Sequence, residues 1–322
     1  MKAAVVTQNG LQIREVPAPE PARNQVLVRV RACGLNRADL GVAAGHMHGS
    51  VGGPGTIVGM EFAGEVADVG SEVSGIKPGD RVMCSGGGAF AEYAVADWGR
   101  ASPIPAGMSF EQAATLPVAL QTMHNALVTI GRLTAGESVL IQGASSGVGL
   151  MAMQIAKHLG AALVIGSSTN KMRREKLRLF GADLAIDTSD PAWADAVIAA
   201  TEGKGVHLII DQVSASVANA NMKAARVLGR IVNVGRLGGA KGEFDYDLHA
   251  LKRIDYIGVT FRTRSTEEVR EINRRMRADL WGAVEAGTLH LPIDRSFPLT
   301  EAAAALAYMR ANAHFGKIVL SV

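Results

Sequence analysis

A glycine-rich turn at residues 143–149, with the sequence GASSGVG, constrains the fold of this chain more than any other segment. It follows a predicted strand at 138–142 and opens a predicted helix at 147–159, whose apolar residues recur on one stripe. A pyrophosphate needs close backbone approach, free N–H groups and a positive helix N-terminus, and small residues at this turn supply all three. The alternative, a tight turn between packed elements, does not explain the spacing and the flanking elements together. We therefore predict a dinucleotide-binding turn.

The pattern of predicted secondary structure changes near residue 120. Before it, short strands are separated by glycine and proline, which favours a small β-barrel. After it, strands alternate with helices, which indicates a parallel sheet covered on both faces, and two successive βαβαβ halves make a doubly wound Rossmann sheet. We predict an α/β chain with a Rossmann domain at 120–263 and a β-barrel domain at 1–119 that is completed by 264–322.

The amino-acid composition argues against several classes of function and location. The 322 residues include 33 Lys+Arg and 30 Asp+Glu, and the net charge of +3 is too small to favour nucleic acid as a partner. Two cysteines, Cys33 and Cys84, cannot form a disulfide framework, so we expect a reducing, cytoplasmic location. We expect neither export nor membrane insertion, because signal-peptide features and an apolar run of about 18 residues are both missing.

The end of the next predicted strand bears on the choice of cofactor. An NAD site places an acidic residue about 20 positions after the turn, but residues 166–174, GSSTNKMRR, contain no carboxylate. Hydroxyl groups followed by Lys171, Arg173 and Arg174 suit a 2′-phosphate, so we predict NADP(H). The alternative is that these cations only solvate the start of a helix, where the helix dipole disfavours them. The candidate cofactor-binding residues are Ala144, Ser145, Ser146, Gly147, Val148, Gly149, Ser167, Asn170, Lys171, Arg173, Val213, Gly235, Arg236 and Phe261.

Several further segments occur in an ordered set. VGMEFAGEV at 58–66, GDRV at 79–82, the glycine-rich turn and GAD at 181–183 together resemble the medium-chain dehydrogenase/reductase superfamily over nearly the whole chain. ACGLNRAD at 32–39 and the ending GKIVL at 316–320 are similar to its zinc-free quinone oxidoreductase branch, the zeta-crystallin-like proteins. The resemblance implies a GroES-like β-barrel catalytic domain beside the Rossmann domain. It also implies a homodimer formed by pairing of the Rossmann sheet edges, at 257–261.

The resemblance also bears on metal chemistry. At the first two positions where zinc-dependent members carry a Cys and a His, this chain carries Asn36 and Met60. A catalytic zinc needs three protein ligands, so we predict no metal site. The implied activity is NADPH-dependent hydride transfer to a quinone. Two alternatives stay open: reduction of activated C=C bonds of the enone or acrylate type, and a non-catalytic NADPH- or RNA-binding, crystallin-like role.

Three positions are candidates for the catalytic site, and the third is filled by one of two histidines. The resemblance places Asn36 near the nicotinamide, with a loop asparagine bonded to its own backbone as the alternative. Thr122 matches a cofactor-contacting threonine at the start of a helix between the domains, or is an ordinary helix-face residue. A tyrosine that meets the substrate in the branch has no counterpart in AGHMH at 44–48, which leaves His46 or His48 as replacements, or an exposed loop.

Overall fold

The computed structural model describes residues 1–49 and 51–322, which divide into two compact units. Unit 1 consists of Met1–Gln121 and Phe261–Val322, and unit 2 consists of Thr122–Thr260. Within the described residues, no helix combines the length and the apolar character that crossing a membrane requires.

The strands of unit 1 pair mostly antiparallel, and the strands of unit 2 pair parallel. In chain order they are β1 (Lys2–Thr7), β2 (Gly10–Glu15), β3 (Gln25–Gly34), β4 (Glu61–Val69), β5 (Arg81–Ser85), β6 (Tyr93–Asp97), β7 (Ala101–Pro103), β8 (Ser138–Ile141), β9 (Leu163–Ser167), β10 (Leu184–Ile186), β11 (Val206–Asp211), β12 (Ala225–Asn233), β13 (Asp255–Gly258), β14 (Ile293–Pro298) and β15 (Lys317–Ser321).

Most of the helices are short, and α9 is the longest in the described part of the chain. In chain order they are α1 (Arg37–Ala43), α2 (Phe110–Ala113), α3 (Pro117–His124), α4 (Gly147–His158), α5 (Lys171–Lys176), α6 (Trp193–Ala200), α7 (Ala218–Ala224), α8 (Tyr246–Lys252), α9 (Thr266–Glu285) and α10 (Ala302–Arg310). A π-helical turn, Asn125–Ile130, directly follows α3.

Unit 1 is organised around the long strand β3. Its valines Val26, Val28 and Val30 are buried at alternate positions, as the period of two of a half-buried strand requires. One edge of β3 pairs with β4, and the other edge is shared by β15 and β6, all antiparallel. The sheet order is β14-β15-β3-β4-β5-β7 with β6 beside β3, so the C-terminal strand lies directly against β3. This pairing brings the end of the chain next to the segment that follows β3.

Unit 2 contains one parallel sheet with the order β10-β9-β8-β11-β12-β13. Counted along the unit this is 3-2-1-4-5-6, the strand order of a doubly wound Rossmann sheet, so the predicted fold class is confirmed. Its central strands are buried on both faces, with Leu140, Ile165, Ile209 and Ile231 fully inaccessible. The order reverses between β8 and β11, and ligands of such sheets bind outside the carboxyl ends of the strands there.

The predicted sheet edge at 257–261 is shorter in the structure. Its strand ends at Gly258, because its neighbour β12 ends at Asn233, the partner of Gly258 in the register. The cationic segment after β9 forms α5, followed by the tighter 3-10 turn Leu177–Phe180, which stops at Gly181 in the left-handed conformation (φ 95°).

Candidate functional site

The glycine-rich turn of unit 2 depends on two glycines. Gly143 adopts the left-handed conformation with φ 67°, which favours glycine. A Cβ added to Gly149 would lie 2.7 Å from the Cα of Ala144 and from the carbonyl oxygen of Gly143. Ser146 caps α4 by accepting the Gly149 N–H at 3.1 Å. The turn therefore closes tightly against the N-terminus of α4, as the predicted phosphate-binding geometry requires.

The hydroxyl of Ser167 fixes the glycine-rich turn through two hydrogen bonds. It accepts the Gly143 N–H at 3.0 Å and donates to Oε1 of Gln142 at 2.6 Å, and Ser167 itself is buried. The neighbouring Ser168 donates to the Ser145 hydroxyl at 3.2 Å. Both hydrogen-bonding functions of Ser167 are thus used within the protein, and a direct contact of its hydroxyl with the cofactor stays a prediction.

A set of neutral hydrogen bonds, which we call the glutamine network, joins the strand ends of unit 2. Its members are Gln142, Ser146, Ser167, Gln212 and Asn221. Gln142 donates to Oδ1 of Asn221 at 2.7 Å, and its carbonyl oxygen accepts from Nε2 of Gln212 at 3.1 Å. Gln212 in turn accepts the Ser146 hydroxyl at 2.9 Å. The network ties the ends of β8, β9 and β11 to the first turn of α4.

The end of β11 carries a buried carboxylate. One oxygen of Asp211 accepts the backbone N–H groups of Val213 and Ser214 at 2.8 and 2.9 Å, and burial raises the pKa of this carboxyl. Ser214 then donates to the carbonyl oxygen of Gly235 at 3.0 Å. The structure therefore brings the predicted residues Val213 and Gly235 to one edge of the sheet, with Arg236 exposed beside them.

Some residues of the cationic segment after β9 already form a hydrogen bond or an ion pair within unit 2. Oδ1 of Asn170 accepts the Arg173 N–H at 3.0 Å and so caps α5, whose first residue, Lys171, is exposed. Arg174 forms an ion pair with Asp187 at 2.8 Å. Lys171 and Arg173 therefore stay the predicted contacts of a 2′-phosphate.

Unit 1 contains a cluster of charged and polar side chains, of which the sequence predicts only Asn36 as a site residue. We call Asn36, Asp39, Glu61 and Lys317 the ionic cluster. Lys317, at the start of β15, donates to Oε1 of Glu61 at 2.5 Å and to Oδ1 of Asn36 at 3.2 Å. Nδ2 of Asn36 donates to the same Glu61 oxygen at 2.9 Å. Lys317 is 5% exposed and Glu61 is fully buried. The candidate Asn36 is thus bound to both members of a buried ion pair.

Asp39 completes this cluster from the first turn of α1. Its Oδ2 accepts the backbone N–H of Asn36 at 2.7 Å, while Oδ1 has no hydrogen-bond partner among the described residues. Burial raises the pKa of the Asp39 carboxyl to about 7, against the lowering effects of the Asn36 N–H and of Lys317. Asp39 is therefore a buried group that titrates near neutral pH.

The remaining catalytic candidates lie in less distinctive surroundings. Thr122 is a half-buried residue of α3 that belongs to unit 2. His46 is exposed on the loop after α1, where its N–H donates to the carbonyl oxygen of Gly41 at 2.9 Å. The pKa of the half-buried His48 is lowered by burial and by Arg262. The roles of Thr122, His46 and His48 stay predictions, as does that of Phe261, a half-buried residue at the start of the second segment of unit 1.

Comparisons with known proteins are consistent with this description. A family model described as "Alcohol dehydrogenase GroES-like domain" matches residues 22–106, and one described as "Zinc-binding dehydrogenase" matches residues 147–277. Polyketide synthase GfsB of Streptomyces halstedii is 34% identical over 92% of this chain. That match covers 5% of the synthase, and the chain spans at most 15% of the other curated relatives compared.

Solved structures match over the full length of the chain. An alcohol dehydrogenase superfamily protein from Novosphingobium aromaticivorans is 30% identical, with a TM-score of 0.90 over 100% of this chain and 99% of that protein. Escherichia coli quinone oxidoreductase, solved in complex with NADPH, is 25% identical with a TM-score of 0.89 over 100% of both chains. CurK enoyl reductase is 25% identical with a TM-score of 0.86 over 99% of both chains.

The fold and these matches define a class of oxidoreductases with a GroES-like domain and a Rossmann domain. The chain belongs to the medium-chain dehydrogenase/reductase superfamily, as its sequence motifs predict.

The residues of this chain do not fit the catalytic zinc that the name of one family model suggests. Asn36 and Met60 stand at the first two ligand positions, and Lys317 puts a positive charge 3.2 Å from Oδ1 of Asn36. Outside residue 50, no three His, Cys, Asp or Glu side chains are grouped so that they could hold a metal ion. No step of the reaction is therefore assigned to zinc.

Proposed function

We propose that this protein is an NADPH-dependent oxidoreductase that transfers a hydride to a quinone. The observation that carries the proposal is the glycine-rich turn, closed by Gly143 and Gly149 against the N-terminus of α4. The cofactor of the E. coli neighbour, NADPH, supports the choice of cofactor. We assign cofactor binding to unit 2 and the contacts with the acceptor to unit 1.

The residues of unit 2 fit NADPH. Side chains are excluded where a pyrophosphate must approach the backbone, because a Cβ on Gly149 would meet backbone atoms at 2.7 Å. The segment from Gly166 to Asn170 carries no carboxylate to repel a 2′-phosphate, and Lys171 and Arg173 follow directly. Bound NADPH supplies the hydride, and the protein supplies orientation and electrostatics.

Asn36 is the residue of unit 1 that we assign to the acceptor. An asparagine amide has two N–H donors and two lone pairs, and the contacts with Glu61 and Lys317 use one of each. The second N–H of Nδ2 stays available to donate to a quinone oxygen. The reaction balances as NADPH, a quinone and one proton giving NADP⁺ and the hydroquinone, with the proton taken from water. The assay of NADPH oxidation described at the end of this section, applied to His46→Ala and Thr122→Ala, tests the roles predicted for those residues.

Reduction of an activated C=C bond is the second candidate. It is favoured by the likeness to CurK enoyl reductase and by the match of 92% of the chain to a polyketide synthase. An enone or enoyl thioester presents a carbonyl oxygen to Asn36 as a quinone does. The hydride then adds to the β-carbon, and the α-carbon takes a proton from water. Both acceptors need the same donor group on the protein.

We also propose a homodimer formed through β13. This strand pairs only with β12 in the described sheet, so its other edge offers unpaired backbone groups to a second copy. Light scattering on the purified protein tests this, and a monomeric mass contradicts it. A reducing, cytoplasmic location stays a prediction, supported by two buried cysteines, Cys33 and Cys84, that form no disulfide.

The test of the proposed function is NADPH oxidation in a metal chelator, with 1,4-benzoquinone, an ortho-quinone and 2-cyclohexenone added separately. We expect rapid turnover with quinones that resists the chelator and prefers NADPH to NADH. Turnover with the enone alone selects the second candidate. NADPH binding without turnover of any acceptor contradicts both candidates and favours a binding protein.

A further inference from the structure

The ammonium group of Lys317 has a complete set of acceptors inside unit 1. It donates to the carbonyl oxygen of Leu35 at 2.7 Å, to Oε1 of Glu61 at 2.5 Å and to Oδ1 of Asn36 at 3.2 Å. An ammonium has three donors, so each has one partner. Lys317 is 281 residues away from Asn36 in the sequence, and the pairing of β15 with β3 brings them together. The lysine is therefore held in one position.

Glu61 is held equally firmly. Its Oε1 accepts from both Lys317 and Asn36, and its Oε2 accepts the backbone N–H of Val118 at 2.8 Å. A Cβ on Gly34 would lie 2.6 Å from Oε1, so this glycine leaves the space that the carboxylate occupies. Lys317, Glu61 and Asn36 thus form a closed ring of three hydrogen bonds.

This ring allows only one orientation of the Asn36 amide. Oδ1 faces the ammonium of Lys317 and Nδ2 faces the carboxylate of Glu61. A flipped amide would place N–H donors against the ammonium and a carbonyl oxygen against the carboxylate, and both contacts would repel. The second N–H of Nδ2 therefore has a fixed direction, and Asn36 is only half-buried, which leaves it open to a ligand.

We propose that Lys317 and Glu61 are positioning residues that orient the Asn36 amide so that its second N–H donates to the oxygen of the hydride acceptor. The part that concerns the acceptor rests on the proposed function. The orientation of the amide rests only on the ring of hydrogen bonds. A solely structural ion pair would stabilise the fold without any dependence on Asn36.

A double-mutant cycle separates the two roles. Lys317→Met alone leaves the Glu61 carboxylate buried and unpaired, so the test uses Lys317→Met/Glu61→Gln, which removes both charges. We expect kcat to fall by about tenfold to a hundredfold, because a small misplacement of a reacting group has effects of this size, with NADPH affinity retained. In an Asn36→Ala background the same pair of substitutions changes kcat by less than about twofold. An equal loss with and without Asn36 overturns the proposal.

A matched control is available on the surface of unit 2. Lys204 and Glu202 form an ion pair at 3.0 Å with side chains 67% and 85% exposed. Lys204→Met/Glu202→Gln makes the same chemical change, and we expect it to leave kcat unaltered. A comparable loss in this control also overturns the proposal.

Wild-type protein that reduces no acceptor contradicts the proposed function, and a spectroscopic measurement then decides the inference. The side-chain NH₂ signals of Asn36 are assigned in ¹⁵N spectra by their loss in Asn36→Ala. We expect these signals to shift in Lys317→Met/Glu61→Gln and to stay in place in the surface control. Unchanged Asn36 signals in the buried variant overturn the inference.

Discussion

The glutamine network of unit 2 and the ionic cluster of unit 1 perform similar tasks with different chemistry. The first fixes the glycine-rich turn with neutral amides and hydroxyls, such as Gln142 and Ser167. The second fixes Asn36 with a buried lysine and carboxylate. A neutral group that loses its buried partner costs about 1–3 kcal/mol, whereas an unpaired buried charge costs about 3–5 kcal/mol. We therefore expect the stability of unit 1 to respond to mutation and to pH mainly through a few residues.

The largest expected effect is on stability and concerns Lys317. We expect Lys317→Met to lower the free energy of unfolding by about 3–5 kcal/mol, because Glu61 keeps a buried charge without its partner. The control Lys204→Met, which breaks an exposed pair, changes it by less than about 1 kcal/mol. Denaturant titration measures both. An equal loss of free energy of unfolding in the two variants would contradict the expected difference between the buried and the exposed ion pair.

The next effect concerns the cations after β9. Arg173→Glu or Lys171→Glu removes the charge-assisted hydrogen bond that we propose to the 2′-phosphate, and such a bond is worth about 1.5–3 kcal/mol. We expect the affinity for NADPH to fall correspondingly and that for NADH to change little. Fluorescence titration with both cofactors provides the comparison, with Lys176→Glu as a control for charge alone. Parallel losses for NADPH and NADH would mean that these cations only solvate the surface.

A smaller effect tests the glycine-rich turn. In Gly149→Ala the new methyl group meets backbone atoms at 2.7 Å, and the strain costs about 1–3 kcal/mol. We expect NADPH affinity to fall about tenfold or more, because the displaced backbone is the surface that we propose to bind phosphate. Gly282→Ala, where α9 leaves open space, is the matched control. Unaltered NADPH binding in Gly149→Ala would show that the glycine-rich turn does not bind the cofactor.

The last effect, the smallest when taken over a single pH unit, is a pH dependence. Because the pKa of Asp39 is raised to about 7 from 3.8, the folded state holds a proton that the unfolded chain has released between these values. Stability is therefore greatest below pH 4 in this respect and falls toward pH 7, by about 1.4 kcal/mol per pH unit for one proton. We expect Asp39→Asn to flatten this slope in denaturant titrations. The exposed variant Asp68→Asn controls for the lost charge, and an unchanged slope in Asp39→Asn contradicts the assignment.

The two regions also differ in what their sequences reveal. The turn at 143–149 is a local pattern, because strand, glycines and amphipathic helix are contiguous, so the structure confirms the elements predicted around it. The ionic cluster unites residues separated by 256 and 281 positions, and no periodicity links them. The available signal was a charged residue beside apolar strands, Glu61 before FAGEV and Lys317 before IVL.

Other differences have the same origin. The hydroxyl of Ser167, a predicted cofactor contact, is bonded to Gly143 and Gln142 at the end of the neighbouring strand β8, which no local pattern indicates, and its contact with the cofactor stays a prediction. The predicted edge strand was too long because its length depends on where β12 ends. Local pattern predicted the layers of both units, whereas tertiary pairing determines which polar atoms remain available to a ligand.

The most direct test of the central claim follows the hydrogen that leaves the cofactor. The protein is supplied in turn with NADPH carrying deuterium at the 4R or the 4S position, together with an accepted quinone or enone, and the NADP⁺ formed is analysed by mass spectrometry. A cofactor fixed on the glycine-rich turn predicts complete loss of deuterium from one form and complete retention from the other. Mixed labelling from both forms, as in the reaction without enzyme, would contradict stereospecific hydride transfer by this protein.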